Sequence, residues 1–203
     1  MSLIPLKSEK KEQVPAGSYV GRCYSMIHIG TIVYQYQGET VRQNKLRISF
    51  ELPNETKVFK EGEEAKPYVI SKDFTFSLHE KSRLRPFLEA WRGKAFTEDE
   101  IGKFDVEKLI SVPAFINIIH SEKGYAEITS ASQLPKGLEC LAQVNPTQIL
   151  TYDNWNEELY QKLPNFLKEK IASSEEFRKM KGLALPADYP PEENASLDSS
   201  IPF

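Results

Sequence analysis

A chain of 203 residues with 40% hydrophobic and 11% aromatic side chains suits one domain with an appendage and can bury a sizeable core. No uninterrupted apolar run approaches the ~20 residues a membrane span needs, and the opening MSLIPLKSEKKEQ lacks the apolar stretch of a secretory signal, so a soluble, unprocessed, cytoplasmic protein is expected. The net charge of −3 argues against a polyanionic ligand only as an average. From Val14 to Lys94 there are 13 Lys and Arg against 9 Asp and Glu, whereas Ala184 to Phe203 has no Lys or Arg and carries Asp188, Glu192, Glu193 and Asp198. A mildly basic body carries an acidic tail, and the two can do different jobs.

Residues 1–13 read as a Lys-rich lead-in. The β-branched and aromatic density from Tyr19 to Tyr36 predicts a long first strand, with Gly21 and Gly30 marking a bend or bulge. After the Gly38-Glu39 turn, RQNKLRISFEL alternates cleanly. Leu46, Ile48, Phe50 and Leu52 point to a core, and Lys45, Arg47, Ser49 and Glu51 point away from it. A polar loop, PNETKVFKEGEEAKP, leads to a third strand, YVISKDFTFSL, with Ile70, Phe74, Phe76 and Leu78 on one side. Lys72 falls on that same side, which requires either a bulge or a rim position. Ser82 is placed to cap a helix bearing Leu84, Phe87, Leu88 and Trp91, with Gly93 as its stop. TEDEIGKFDVEKLI predicts a further short helix. SVPAFINIIH and YAEITSASQL, joined by Ser121 to Gly124, read as a hairpin.

The order β-β-β-α-β-β with a long curved first strand is that of an OB-fold, a five-stranded Greek-key barrel, over 14–138. An SH3-like barrel or an open α+β sheet fits the same pattern. A helical extension over 139–182 follows. In it, Asp153 or Asn154 caps a helix carrying Trp155, Leu159 and Leu163, Pro164 breaks it, and NFLKEKIASSEEFRKM continues with Phe166, Leu167 and Ile171. The composition of 183–203 predicts a tail without its own core.

Enzyme signatures are missing: there is no GxxxxGK[ST], GxGxxG or GxSxG, and HEKSR lacks the second His of a zincin helix. His28, His79 and His120 are widely spaced. Cys23 and Cys140 stand outside any CxxC and read as structural thiols. No catalytic residue, metal site or cofactor is expected, although a metal-dependent nuclease assembled from separated acids such as Asp73 and Glu127 is an alternative.

The strands interleave cations with aromatics, the combination that non-specific single-strand binders use for phosphates and bases. Arg22, Arg42, Lys45 and Arg47 are the phosphate candidates. Tyr24, Tyr34, Tyr36 and Tyr125 are the stacking candidates. Packing alone also places tyrosines in strands, and a register wrong by one residue would invert both sets. Phe50, Phe74, Phe76, Phe87, Trp91 and Phe115 are assigned to the core, and Trp155 to helix packing.

The chain closes on Asp198-Ser199-Ser200-Ile201-Pro202-Phe203. An acidic tail ending in Ile-Pro-Phe resembles the bacterial and phage single-stranded-DNA-binding (SSB) proteins. SLHEKSRLRPFLEAWRG and FINIIHSEKGYAEITSASQLPKG are similar to phage-encoded members. The resemblance implies an OB-fold that coats single-stranded DNA during replication, recombination and repair. It also implies a tip, here Asp198, Ile201, Pro202 and Phe203, that recruits replication or recombination partners. Ser199 and Ser200 stand where the family usually has aspartates. Homo-oligomerisation is allowed but not inherited, no membrane partner is expected, and a phage-encoded chain would act in the host cytoplasm. A protein-interaction adaptor and an RNA binder are the rival readings.

Overall fold

The computed structural model describes residues 13–59 and 61–185, so the expected tip at Asp198, Ile201, Pro202 and Phe203 lies outside the described residues. The fold is mainly β. Strands β1 (Gly17–Tyr36), β2 (Glu39–Lys57) and β3 (Lys66–Thr75) are followed by helix α1 (Leu84–Arg92) and strands β4 (Pro113–His120), β5 (Ala126–Ser132) and β6 (Gln148–Leu150). Helices α2 (Glu157–Lys162), α3 (Asn165–Ser173) and α4 (Glu175–Met180) come last. The sheet runs β3-β2-β1-β4-β5 in antiparallel pairs, with β6 added parallel to β1. The sixth strand corrects the expectation of five. Its parallel ladder to Ser25–Ile27 lies inside the 139–182 segment expected to be helical, whose first described helix starts only at Glu157.

The long first strand exists because it is used from both sides. Its first part, Gly17–Arg22, pairs with β4, and Gly21 leaves room for the Ile116 side chain that a Cβ would strike. Further along, two register shifts leave Tyr24 and Ile29 as extra residues against β2, bending the strand. The bend turns β1 between two cores. Cys23 and Met26 join a large cluster with Ile48, Phe50, Leu52, Phe74, Leu88, Trp91, Ile116 and Ile128. Ile27 and Ile29 face a second cluster with Leu150, Tyr160, Leu163, Leu167, Ile171 and Phe177.

Helix α1 buries Leu84, Phe87, Leu88 and Trp91, as their spacing predicts. Ser82 Oγ accepts from Arg85 N at 3.3 Å, and Gly93 ends the helix in the left-handed region at φ 67°, with the Lys94 amide closing onto the Glu89 carbonyl. The Trp91 ring lies 5.0 Å from that of Phe50, and its Nε1 donates to the Pro113 carbonyl at 2.9 Å, fixing α1 against β4. Lys72 resolves without a bulge, since β2–β3 pairing is continuous through it. Its Nζ donates to the Ile128 carbonyl, so the two end strands, β3 and β5, are linked by an inward-reaching cation. Two core assignments are corrected. Phe76 is exposed at the sheet end against His28, and Phe115 is only half-buried.

The helix expected over 97–110 is reduced to turns and one 3-10 turn, Val106–Leu109. Gly102 at φ 79° interrupts the stretch, and Asp105 Oδ1 accepts from Glu107 N at 2.9 Å. The cap of α2 is Asn156, not Asp153 or Asn154, because its Oδ1 accepts from Leu159 N at 2.9 Å. Ser174 separates α3 from α4 and caps the latter. The helices dock where β1 has no side chain. A Cβ on Gly30 would lie 2.7 Å from Glu176 Oε2 and 2.8 Å from Ser174. Glu176 then takes the Thr31 amide and hydroxyl at 2.6 and 2.7 Å. Burial pushes the Glu176 carboxyl up, but the Thr31 hydrogen bonds and the nearby His28 outweigh it, and the group titrates below its usual range. None of the described helices is long and apolar enough to cross a membrane.

Candidate nucleic-acid interface

Alternation along β2 and β3 puts Arg47, Ser49 and Glu51, with their register partners Asp73, Ser71 and Val69, on the face away from the large core. The two serines are joined by a hydrogen bond of 2.8 Å. Glu51 looks like a surface residue in sequence, yet it is 0% exposed. Its carboxylate accepts from the amides of Val144 and Asn145 and from Asn145 Nδ2 at 2.6–2.7 Å, so the chain between β5 and β6 is strapped across this end of the face.

The same strap uses Arg22. Its Nε and Nη2 donate to the Leu141 carbonyl, Nη2 also to that of Cys140, and Nη1 to that of Ser111 at 2.6 Å. Those bonds give Arg22 a structural task. Arg42 falls on the opposite side of β2 from Lys45 and Arg47, and its Nε pairs with Glu175 of α4 at 3.0 Å. Tyr34, Tyr36 and Lys45 lie toward the β1–β2 hairpin end, opposite Val41, Glu39 and Gly30 respectively. Tyr24, the extra residue of the first bulge, is close enough to Glu51 and Arg47 to feel both charges. Burial, then Glu51, push its hydroxyl up to about 12, with Arg47 opposing. It is therefore a neutral, half-buried ring at neutral pH.

Two open cavities mark this side. One, of about 360 Å³, is lined by Arg47, Phe59, Tyr68, Ser71, Gln13 and Ala126 among others. A second, of about 380 Å³, is lined by Phe59, Lys66, Val69 and Asn145 among others. Phe59 and Val69 border both, so the two form one trough along β3. Phe59 is 47% exposed and meets Tyr68 edge-on at 5.4 Å between centroids. Gln13 bridges the Gly124 carbonyl and the Ala126 amide, which brings the root of the β4–β5 hairpin to the trough. Tyr125, next in chain to Ala126, is 59% exposed.

The arrangement therefore brings Arg47, Tyr24 and the neighbourhood of Tyr125 to one side of the molecule and gives Arg22 and Arg42 internal partners. It adds residues that strand patterning did not single out: Phe59 and Tyr68 beside the trough, and Phe166 and Lys170 of α3, which reach Arg47 and Asp73 respectively. A signal was present for Phe166, since Leu163, Leu167 and Ile171 already form the buried stripe of that segment and Phe166 lies off it. Among the described residues no group of three or more His, Cys, Asp or Glu gathers as a metal set. Both thiols are pushed up by burial, Cys23 to about 12. Compared with protein-family models, with curated proteins and with solved structures, the chain has no match in any of the three.

Proposed function

We propose that the protein is a single-stranded-DNA-binding protein of the phage SSB type, built on an OB-like barrel. In this reading it coats single strands without sequence preference during replication, recombination or repair, and recruits partners through its C-terminal tip. The barrel reading is supported by the β1-β2-β3-α1-β4-β5 order, by β1 serving both β2 and β4, and by the Lys72 link from β3 to β5. Partner recruitment rests on the sequence of the tip alone.

The observation that carries the reading is the trough along β3, where Arg47 lines the same cavity as the exposed ring of Phe59 and its neighbour Tyr68. Each stacked base contributes roughly 1–3 kcal/mol and needs only a π-face, so such a lining favours unpaired bases of any identity. Tyr24 and Tyr125 extend the aromatic surface, and Lys45, Tyr34 and Tyr36 continue it toward the β1–β2 hairpin. Arg22 and Arg42 are left out: three backbone carbonyls hold Arg22, and Arg42 lies on the opposite side of β2 from Arg47, turned to Glu175. The test is fluorescence anisotropy of labelled oligo(dT), with a duplex of equal length as control. Preferential single-strand binding that falls steeply with salt supports the proposal. No binding at low salt overturns it and leaves the adaptor reading.

A further inference from the structure

Helix α3 presents two residues one turn apart, Phe166 and Lys170, to the outer face of β2 and β3. Opposite them, Arg47 and Asp73 are register partners on adjacent strands. The Asp73 carboxylate is held at both oxygens: Oδ1 by Arg47 Nη1 at 2.6 Å and Oδ2 by Lys170 Nζ at 3.4 Å. The Arg47 guanidinium also lies 5.3 Å from the centroid of the Phe166 ring, which is 51% exposed and belongs to neither buried cluster. Two cations from elements far apart in sequence thus converge on one anion, beside an aromatic face that the core does not require.

We infer that Arg47, Lys170 and Phe166 form a seat for one nucleotide of the strand, and that Asp73 is the resident anion which the phosphate must displace. The inference rests on the single-strand reading and deepens it. A carboxylate and a phosphodiester both offer two oxygens to a pair of cations, and a guanidinium binds either through parallel N–H groups. The base of the same nucleotide stacks on the open face of Phe166 while Arg47 supports the ring from its other contact. Asp73 keeps the two cations aligned in the empty protein and lowers affinity by competing for them. Helix α3 is then one wall of the binding path, not merely a cap on β1.

A purely structural ion cluster makes a different prediction, since removing its central charge would loosen α3 and gain nothing for DNA. The experiment is an oligo(dT) anisotropy titration of the full chain at several salt concentrations, with thermal melts to check folding. Asp73→Asn keeps the size and an acceptor for Arg47, and is expected to bind several-fold more tightly than wild type. Phe166→Leu keeps the apolar bulk without the π-face and is expected to bind about tenfold more weakly, the lower half of what one stacked base contributes. Lys170→Gln is expected to reduce the slope of log K against log salt by about one. Wild-type binding with Asp73→Asn no tighter, or with Phe166→Leu unchanged, overturns the seat while the single-strand reading stands. Absence of wild-type binding overturns both.

Discussion

Replacing Glu51 by alanine tests how the strap is held, and the size of the effect can be worked from its contacts. The carboxylate is wholly buried and accepts three hydrogen bonds from Val144 and Asn145. Hydrogen bonds to a charged group contribute about 1.5–3 kcal/mol each, which sets a gross loss of roughly 4.5–9 kcal/mol for the three. Two effects reduce it. Val144 is exposed and Asn145 half-buried, so water can reach the released amides, and removing the carboxylate also removes its own desolvation cost of several kcal/mol. A net loss of about 3 kcal/mol is expected, or a fall in Tm of about 6–12 °C for a chain of this size. Glu51→Gln should lose most of the same stability, because its amide nitrogen must face a donor. Urea denaturation gives the free energies, and hydrogen exchange at Val144 and Asn145 locates the change. A Glu51→Ala variant within 0.5 kcal/mol of wild type, or one whose added exchange lies elsewhere, would refute this account of the strap.

Other predictions concern the helical layer and the thiols. Gly30→Ala places a Cβ against Glu176 and Ser174 at a backbone φ of 97°. It should cost about 1–3 kcal/mol, with increased exchange in α4 as the readout. Glu176 has a folded pKa below its usual 4.5, so its contribution is complete above that value and is lost as pH falls through the folded pKa. Melting curves between pH 6 and pH 3 should therefore show a smaller acid-induced drop for Glu176→Gln than for wild type. Cys23, buried with its thiol pushed up to about 12, should resist iodoacetamide at pH 8 until the protein is unfolded, as mass spectrometry of the labelled chain would report.

Much of the sheet is legible in the sequence because its signals are local. The Leu46, Ile48, Phe50 and Leu52 alternation, the α1 stripe and the Gly93 stop each need only neighbouring residues to be recognised. The misjudged positions depend on partners far away in the chain. Glu51 continues a polar outer face until a segment some ninety residues later covers it. Arg22 and Arg42 look like surface cations until the carbonyls of 111, 140 and 141 and the carboxylate of Glu175 are brought to them. Strand β6 is three residues long and has no internal pattern, so it exists only through its ladder to β1. Lys72 is the instructive intermediate. Its parity with the core was readable, but its reason, a carbonyl on β5, was not. The candidate site follows the same division: Arg47 and Tyr24 come from strand patterning and Phe166 from its place off the buried helical stripe, whereas Phe59 and Lys170 emerge only from the packing of loop and helix.

The most direct test of the binding face is hydrogen exchange of the full chain with and without saturating oligo(dT). The account predicts added protection along β3, around Phe59, at the root of the β4–β5 hairpin and in α3, with little change in α1. Protection confined to α1, to the 97–110 turns or to the strap, with the β3 trough and α3 unchanged, would contradict it.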